Sequence, residues 1–168
     1  MATPLNGTSA DLLTAARQAA KADWRAVAMA DDRLAEIRWA DGWYPEALEL
    51  RVNWRTRVTN ADQARRLGDE AIPMIDRMTI MNPTLNLYGM RTRAGFAAQR
   101  PAVVVESVSN YVRLASGMVR AGVLPMETLR KDATALGDIL KDAEKMKGAD
   151  APRIAEVRAE IAKLVPAS

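Results

Sequence analysis

Apolar residues along this chain recur at spacings of three and four, which is the period of an amphipathic α-helix. The first such pattern follows a predicted N-cap at Ser9 and meets no helix breaker before about residue 40, so it is one long helix or two joined helices. Residues 1–8 contain a proline and a glycine and are expected to form a flexible tail. The one strand-like run, 103–105, lies inside a longer helical pattern. The chain is therefore predicted to be all-α.

Prolines and polar caps divide the rest of the chain into further helices, since a proline in the first helical turn loses no hydrogen bond. Helix starts are predicted at Pro45, Asn60, Pro83, Pro101, Met126 and Asp150. Pro73 falls inside the third helix and is expected to kink it or split it near Gly68. The result is about seven helices in one domain, residues 9–165. Hairpin units are expected at about 45–80, 83–120 and 126–164, after the long N-terminal helical segment.

The helices show an internal repeat. A shift of 38 residues aligns Leu34 with Ile72, Pro45 with Pro83 and Arg55 with Arg93. Each interval holds two helices that bury their apolar faces only by packing on neighbours. Over about residues 23–120 the chain resembles the tetratricopeptide-repeat superfamily, although the Trp–Leu–Gly–Tyr motif of that family is not reproduced in order. The resemblance implies stacked antiparallel helical hairpins in a right-handed α-solenoid. An irregular helical bundle, in which prolines merely start helices, is the alternative.

A second resemblance concerns one segment of the repeat. Ala71–Gly95, with the sequence AIPMIDRMTIMNPTLNLYGMRTRAG, is similar to the repeat-like soluble tails of bacterial O-antigen ligases and polymerases. This resemblance implies that the chain is the soluble tail of a membrane glycan enzyme, and it would place the chain in the periplasm. Without it, a soluble cytoplasmic location is the default, because no signal peptide and no membrane span are recognised.

The amino-acid composition argues against several kinds of catalytic and metal-binding site. The chain has no histidine and no cysteine, so the commonest general base, the thiol nucleophile and the usual zinc ligands are missing. No phosphate loop or nucleophile elbow is recognised. Adjacent carboxylates such as Asp31-Asp32 have Lys or Arg at helical spacing, which is typical of a solvated surface. We therefore expect a protein that is not an enzyme and binds no cofactor or metal.

The net charge of +3 is small, but the basic residues are unevenly distributed. Residues 81–125 carry five arginines against the single acid Glu106. At the 38-residue offset, Arg93 should neighbour Arg55. If the hairpins stack at this offset, the candidate partner-binding residues are expected to form a groove of guanidinium groups and aromatic faces: Arg51, Trp54, Arg55, Tyr88, Arg91 and Arg93. Such a groove suits carboxylates or phosphates. The alternative is a solvated face on which arginine stems cover alanine-rich surface.

These features favour a non-catalytic scaffold that binds a protein or an acidic peptide in a preformed groove. The tail of a glycan ligase or polymerase is the second hypothesis. A helical nucleic-acid-binding regulator is the third. The small net charge and the missing helix-turn-helix argue against nucleic acid as a partner.

Overall fold

The computed structural model describes residues 8–37 and 42–164, and every regular element in those ranges is an α-helix. The described helices are α1 (Ser9–Ala22), α2 (Trp24–Met29), α3 (Asp31–Ala35), α4 (Tyr44–Arg55), α5 (Ala61–Met81), α6 (Leu85–Ala97), α7 (Pro101–Arg120), α8 (Met126–Glu144) and α9 (Ala151–Ala162). The all-α prediction is confirmed. Residues 1–7 of the predicted tail and Trp39 lie outside the described ranges.

The long N-terminal helical segment is divided into three short helices, which the sequence pattern did not predict. Thr8, rather than Ser9, caps α1, and it forms a capping box with Asp11. Asp23 then leaves the helical conformation, and its carboxylate accepts a hydrogen bond of 2.9 Å from the backbone N–H of Arg25. An aspartate side chain that binds a nearby backbone N–H ends one helix and starts the next. Two short helices therefore follow α1 within the described residues.

Helix α5 is continuous through Pro73, so the predicted split near Gly68 is wrong. Pro73 lies on the exposed face of α5, whereas Ala71 and Ile75 on either side of it are fully buried. The burial of these flanking residues holds the helix together although the proline removes one backbone hydrogen bond. At the start of α5, Asn60 accepts a hydrogen bond from the Gln63 backbone N–H, as its sequence predicts for a cap.

Successive helices from α4 to α9 pack on one another in chain order, and α9 also contacts α7. Three hydrophobic clusters fill the space between the helices. The first joins α1 to α4, the second joins α4 to α6, and the third joins α7 to α9. Helix α4 belongs to two clusters, because Ala47 and Leu50 face the first while Leu48 and Val52 face the second. It therefore buries two faces and shows no single apolar stripe.

Gly68 allows α5 and α6 to approach closely. A Cβ atom at this position would lie 2.8 Å from both the Ala94 oxygen and the Ala98 nitrogen, which are backbone atoms of α6 and of its C-cap residue. Such close approach fixes how these two helices cross. Within the described residues, none of the helices is both long and apolar enough to cross a lipid bilayer.

Candidate functional site

Three of the six predicted site residues meet at one buried carboxylate. Asp31 accepts hydrogen bonds at Oδ1 from Trp54 Nε1 at 2.8 Å, Arg51 Nε at 3.1 Å and Arg55 Nη1 at 2.7 Å. Its Oδ2 accepts from Arg55 Nη2 at 2.7 Å, which makes the Arg55 pair bidentate. The interpretation of Asp31 as a solvated surface acid is therefore wrong. Its partners on α4 lie 20 to 24 residues later in the chain, a distance over which helical spacing gives no information.

Arg55 is also held from other sides. Its guanidinium lies 4.5 Å from the centroid of the Trp54 ring, donates to the Arg51 carbonyl at 2.9 Å and reaches Glu70 Oε2 at 3.3 Å. Only 6% of the residue is exposed. These contacts use the guanidinium to join α3, α4 and α5. Arg55 is thus a structural cation, since an external anion would have to displace Asp31 to reach it.

The same contacts control the ionisation of Asp31. Burial would raise the pKa of this carboxyl, but hydrogen bonds from Arg55, Arg51 and Trp54 outweigh burial and lower the pKa from 3.8 to about 2. A folded-state pKa below the unfolded value adds stability above the unfolded pKa, and this stability is lost as the pH falls through the folded pKa.

We expect an acid-induced loss of stability that depends on Asp31. Between about pH 4 and about pH 2, the folded protein should lose about 2 kcal/mol of stability from this group alone. Urea unfolding followed by circular dichroism at a series of pH values measures it. An Asp31→Asn variant should lack this component while keeping the acid response of the other carboxylates. An identical pH dependence in the two proteins would contradict the assignment.

The other three predicted residues lie elsewhere. Arg91 donates from Nε to Asp76 at 2.8 Å and pairs through Nη1 with Glu106 at 2.9 Å. Tyr88 lines a cleft between α6 and α7, and Arg93 lines a different one between α6 and α8. Trp54 lines a third cleft. The structure therefore brings only three of the six residues together. Arg51, Trp54 and Arg55 all donate hydrogen bonds to Asp31, whereas Tyr88, Arg91 and Arg93 are distributed along α6.

The third cleft is the strongest candidate site. It lies between α2 and the junction of α4 with α5 and has a volume of about 570 Å³, within the range of small-ligand sites. We call it the tryptophan–arginine cleft. Its lining residues are Asp23, Trp24, Arg25, Ala28, Trp54, Arg57, Val58, Thr59, Asn60, Gln63, Arg66 and Leu67.

Positive charge dominates this cleft. Arg25, Arg57 and Arg66 line it against one carboxylate, that of Asp23. Arg66 forms an ion pair of 3.7 Å with Glu70, whereas Arg25 and Arg57 form none with any residue in the described ranges. The N-terminal end of α5, a helix of 21 residues, opens beside it and adds a partial positive charge. An anion in this cleft would meet two guanidinium groups, those of Arg25 and Arg57, that have no ion-pair partner in the part of the chain that the structure describes.

An aromatic ring orients one of the cleft arginines, Arg57. The Arg57 guanidinium lies 4.8 Å from the centroid of the Trp24 ring, a cation–π distance. Stacking on a ring face restrains the guanidinium while leaving the N–H donors at its edge available for an acceptor. Trp54 is restrained in turn by its hydrogen bond to Asp31. The buried cluster around Asp31 therefore supports one wall of the cleft.

The sequence predicted a groove of guanidinium and aromatic groups, and of the six residues predicted for it only Trp54 lines this cleft. The prediction missed Trp24, Arg25 and Arg57. The sequence signal for these residues is Asp23, which can cap a helix. As the N-cap of α2 it starts a new helix, and this helix places Trp24 and Arg25 opposite the end of α4. No family model, curated protein or solved structure matches this chain. Functional inference therefore depends on the cleft itself.

Proposed function

We propose that this chain is a non-catalytic interaction module that binds an acidic segment of a partner protein in the tryptophan–arginine cleft. One observation carries the proposal: Arg25 and Arg57 line a cleft of about 570 Å³ without an ion-pair partner in the described residues. Carboxylates fit guanidinium groups bidentately, and tryptophan faces add apolar contact area.

The scaffold supports this role. The cleft walls belong to α2, α4 and α5, and the Asp31 cluster joins α3, α4 and α5 beneath them. A cleft whose walls are held by internal ion pairs loses little conformational entropy when a partner binds. The 38-residue repeat and the packing of α4 to α9 in chain order support stacked helical hairpins as the architecture of the module.

The proposal is tested with a fluorescein-labelled peptide of glutamate and alanine and a neutral peptide in which glutamine replaces glutamate. Fluorescence anisotropy should detect binding of the acidic peptide only. The double variant Arg25→Ala/Arg57→Ala should lose about 100-fold in affinity, because each charge-assisted contact contributes about tenfold or more. Intrinsic tryptophan fluorescence should also change on binding, since Trp24 and Trp54 line the cleft.

A matched control removes the same charge elsewhere. Arg120 and Arg130 are exposed on α7 and α8, so the double variant Arg120→Ala/Arg130→Ala should bind the acidic peptide as the wild type does. Equal losses in the two double variants would indicate a general charge effect and contradict the proposal. Tighter binding of a single-stranded oligonucleotide, with the same dependence on Arg25 and Arg57, would assign the cleft to nucleic acid instead.

A further inference from the structure

The cleft that Tyr88 lines between α6 and α7 is a separate concave surface with a volume of about 530 Å³, and we call it the α6–α7 groove. Pro83 before α6 and Val123 after α7 also line it. The rest of its lining is one face of α7 and its C-cap, with residues at spacings of three and four: Asn110, Arg113, Leu114, Gly117, Met118 and Ala121. At a rise of 1.5 Å per residue this face is about 16 Å long, or about three helical turns.

The register between α6 and α7 fixes which lining residues are neighbours. Arg91 of α6 donates from Nη1 to Ser107 Oγ of α7 at 3.1 Å. A Cβ atom at Gly95 would lie 2.9 Å from Val104 Cγ2. Later positions in α6 therefore meet earlier positions in α7, so the two helices run antiparallel. Because Tyr88 precedes Arg91 by three residues, this register sets it beside the first lining residues of α7.

Three polar side chains therefore share one end of the groove, those of Tyr88, Asn110 and Arg113. Their hydroxyl, amide and guanidinium groups have no hydrogen-bond or ion-pair partner among the residues that the structure describes. None of the described lining residues is acidic. All three groups can donate hydrogen bonds, and the guanidinium is charged. This end of the groove is complementary to a carboxylate, which a guanidinium binds bidentately.

The other end of the groove is apolar and open. Leu114, Met118 and Val123 line it, and Val123 is 68% exposed. A small ligand at this end would stay largely in water, whereas small-molecule sites bury most of their ligand. A partner helix can cover such a face, because its apolar side chains recur at the same spacing as the lining residues. Methionine at such a surface adapts its shape to the partner.

We infer that the α6–α7 groove binds an amphipathic helix of a partner protein. A glutamate of that helix contacts Arg113, and a stripe of apolar side chains covers Leu114 and Met118. The inference goes beyond the proposed function and does not rest on it, because the α6–α7 groove shares no lining residue with the tryptophan–arginine cleft.

The first experiment measures the charge preference of the groove. Labelled helical peptides share a stripe of leucines on an alanine and glutamine background. They differ at one residue, at either end of the stripe, which is glutamate, glutamine or lysine. Fluorescence anisotropy should show that a glutamate peptide binds about tenfold or more tightly than its glutamine counterpart, because a charge-assisted contact contributes that much, and that lysine peptides bind most weakly. Equal affinities, or no binding of any peptide, would overturn the inference.

The second experiment exchanges the charges. Arg113→Glu should reverse the order, so that a lysine peptide binds more tightly than a glutamate peptide. Arg130→Glu, the same change at an exposed arginine of α8, should keep the wild-type order. The double variant Arg25→Ala/Arg57→Ala should keep it as well, which separates this inference from the proposed function. An unchanged order in Arg113→Glu would contradict the inference, and so would a preference that is lost in either control.

The third experiment fills the groove. A Cβ atom at Gly117 would meet no atom within 4 Å, and leucine forms helices better than glycine, so Gly117→Leu should fold. Its side chain should lower the affinity for the glutamate peptide by about tenfold, as overpacking of an interface does. Gly137→Leu, on α8 and outside this groove, also has open space around its Cβ position and should bind as the wild type does. Equal affinities of the two variants would count against the groove.

Two further measurements test other occupants of the groove. If sedimentation velocity shows a wild-type dimer that Gly117→Leu dissociates, a second copy of the chain covers the groove and the inference is wrong. If decanoate binds with a dependence on Arg113 while no helical peptide binds, the groove takes a small apolar carboxylate and the inference is again wrong. A monomer that binds the glutamate peptide in preference to decanoate is the expected result.

Discussion

Replacing Asp31 with asparagine should lower the free energy of unfolding by about 3 to 5 kcal/mol, which is the usual cost of breaking a buried ion pair. The substitution conserves size but leaves the buried Arg55 charge without its bidentate partner. An asparagine amide would also direct N–H groups toward guanidinium N–H groups. Urea unfolding monitored by circular dichroism at neutral pH measures the change.

Two variants separate this effect from a general change of charge. Asp32 is the exposed neighbour of Asp31, and Asp32→Asn should change stability by only a few tenths of a kcal/mol. The double variant Asp31→Asn/Arg55→Met removes both buried charges and should lose much less stability than the sum of its single variants. If Asp31→Asn costs no more than Asp32→Asn, the cluster does not hold α3 on α4.

The helices after residue 44 follow from local signals. Pro101, Asp150 and the Asn60 cap begin helices within a residue or two of their predicted positions, because caps and first-turn prolines act on their own backbone. The single buried stripe of α9, Ile154, Val157 and Ile161, is likewise visible in the sequence. These features need no knowledge of which helices meet.

The candidate site depends on contacts between distant residues. In the sequence, Arg55 is one of several arginines in helical segments, and nothing local distinguishes it from the others. Its burial results from its pairing with Asp31, which lies 24 residues earlier in the chain. Helical periodicity places a residue on a face of its own helix and does not give the partner of that face. Arg25 and Arg57, which form no ion pair within the described residues, could therefore be distinguished from the structural arginines only in three dimensions.

The same reasoning applies to α5, where Gly68 and Pro73 both looked like helix breakers. Gly68 is required by a close contact rather than by turn geometry, since it lies within a continuous helix against the α6 backbone. Its role is to let two helices approach, which a propensity argument cannot detect. A substitution at this position therefore tests the packing directly.

We expect Gly68→Val to lower the free energy of unfolding by about 3 kcal/mol or more, as the upper range of overpacking effects indicates. Its Cβ would lie 2.8 Å from Ala94 O and Ala98 N, two backbone atoms joined by an α6 hydrogen bond, so side-chain rotation cannot relieve the clash. Chemical denaturation measures the loss.

Gly137→Val makes the same change in α8 at a position where a Cβ meets no atom within 4 Å. Valine is slightly more favourable than glycine in a helix, so this control should keep or slightly raise stability. The difference between the two variants isolates the close contact of α5 with α6, because helix propensity acts equally on both. Equal stability of the two would mean that α5 and α6 are farther apart than the 2.8 Å contacts require.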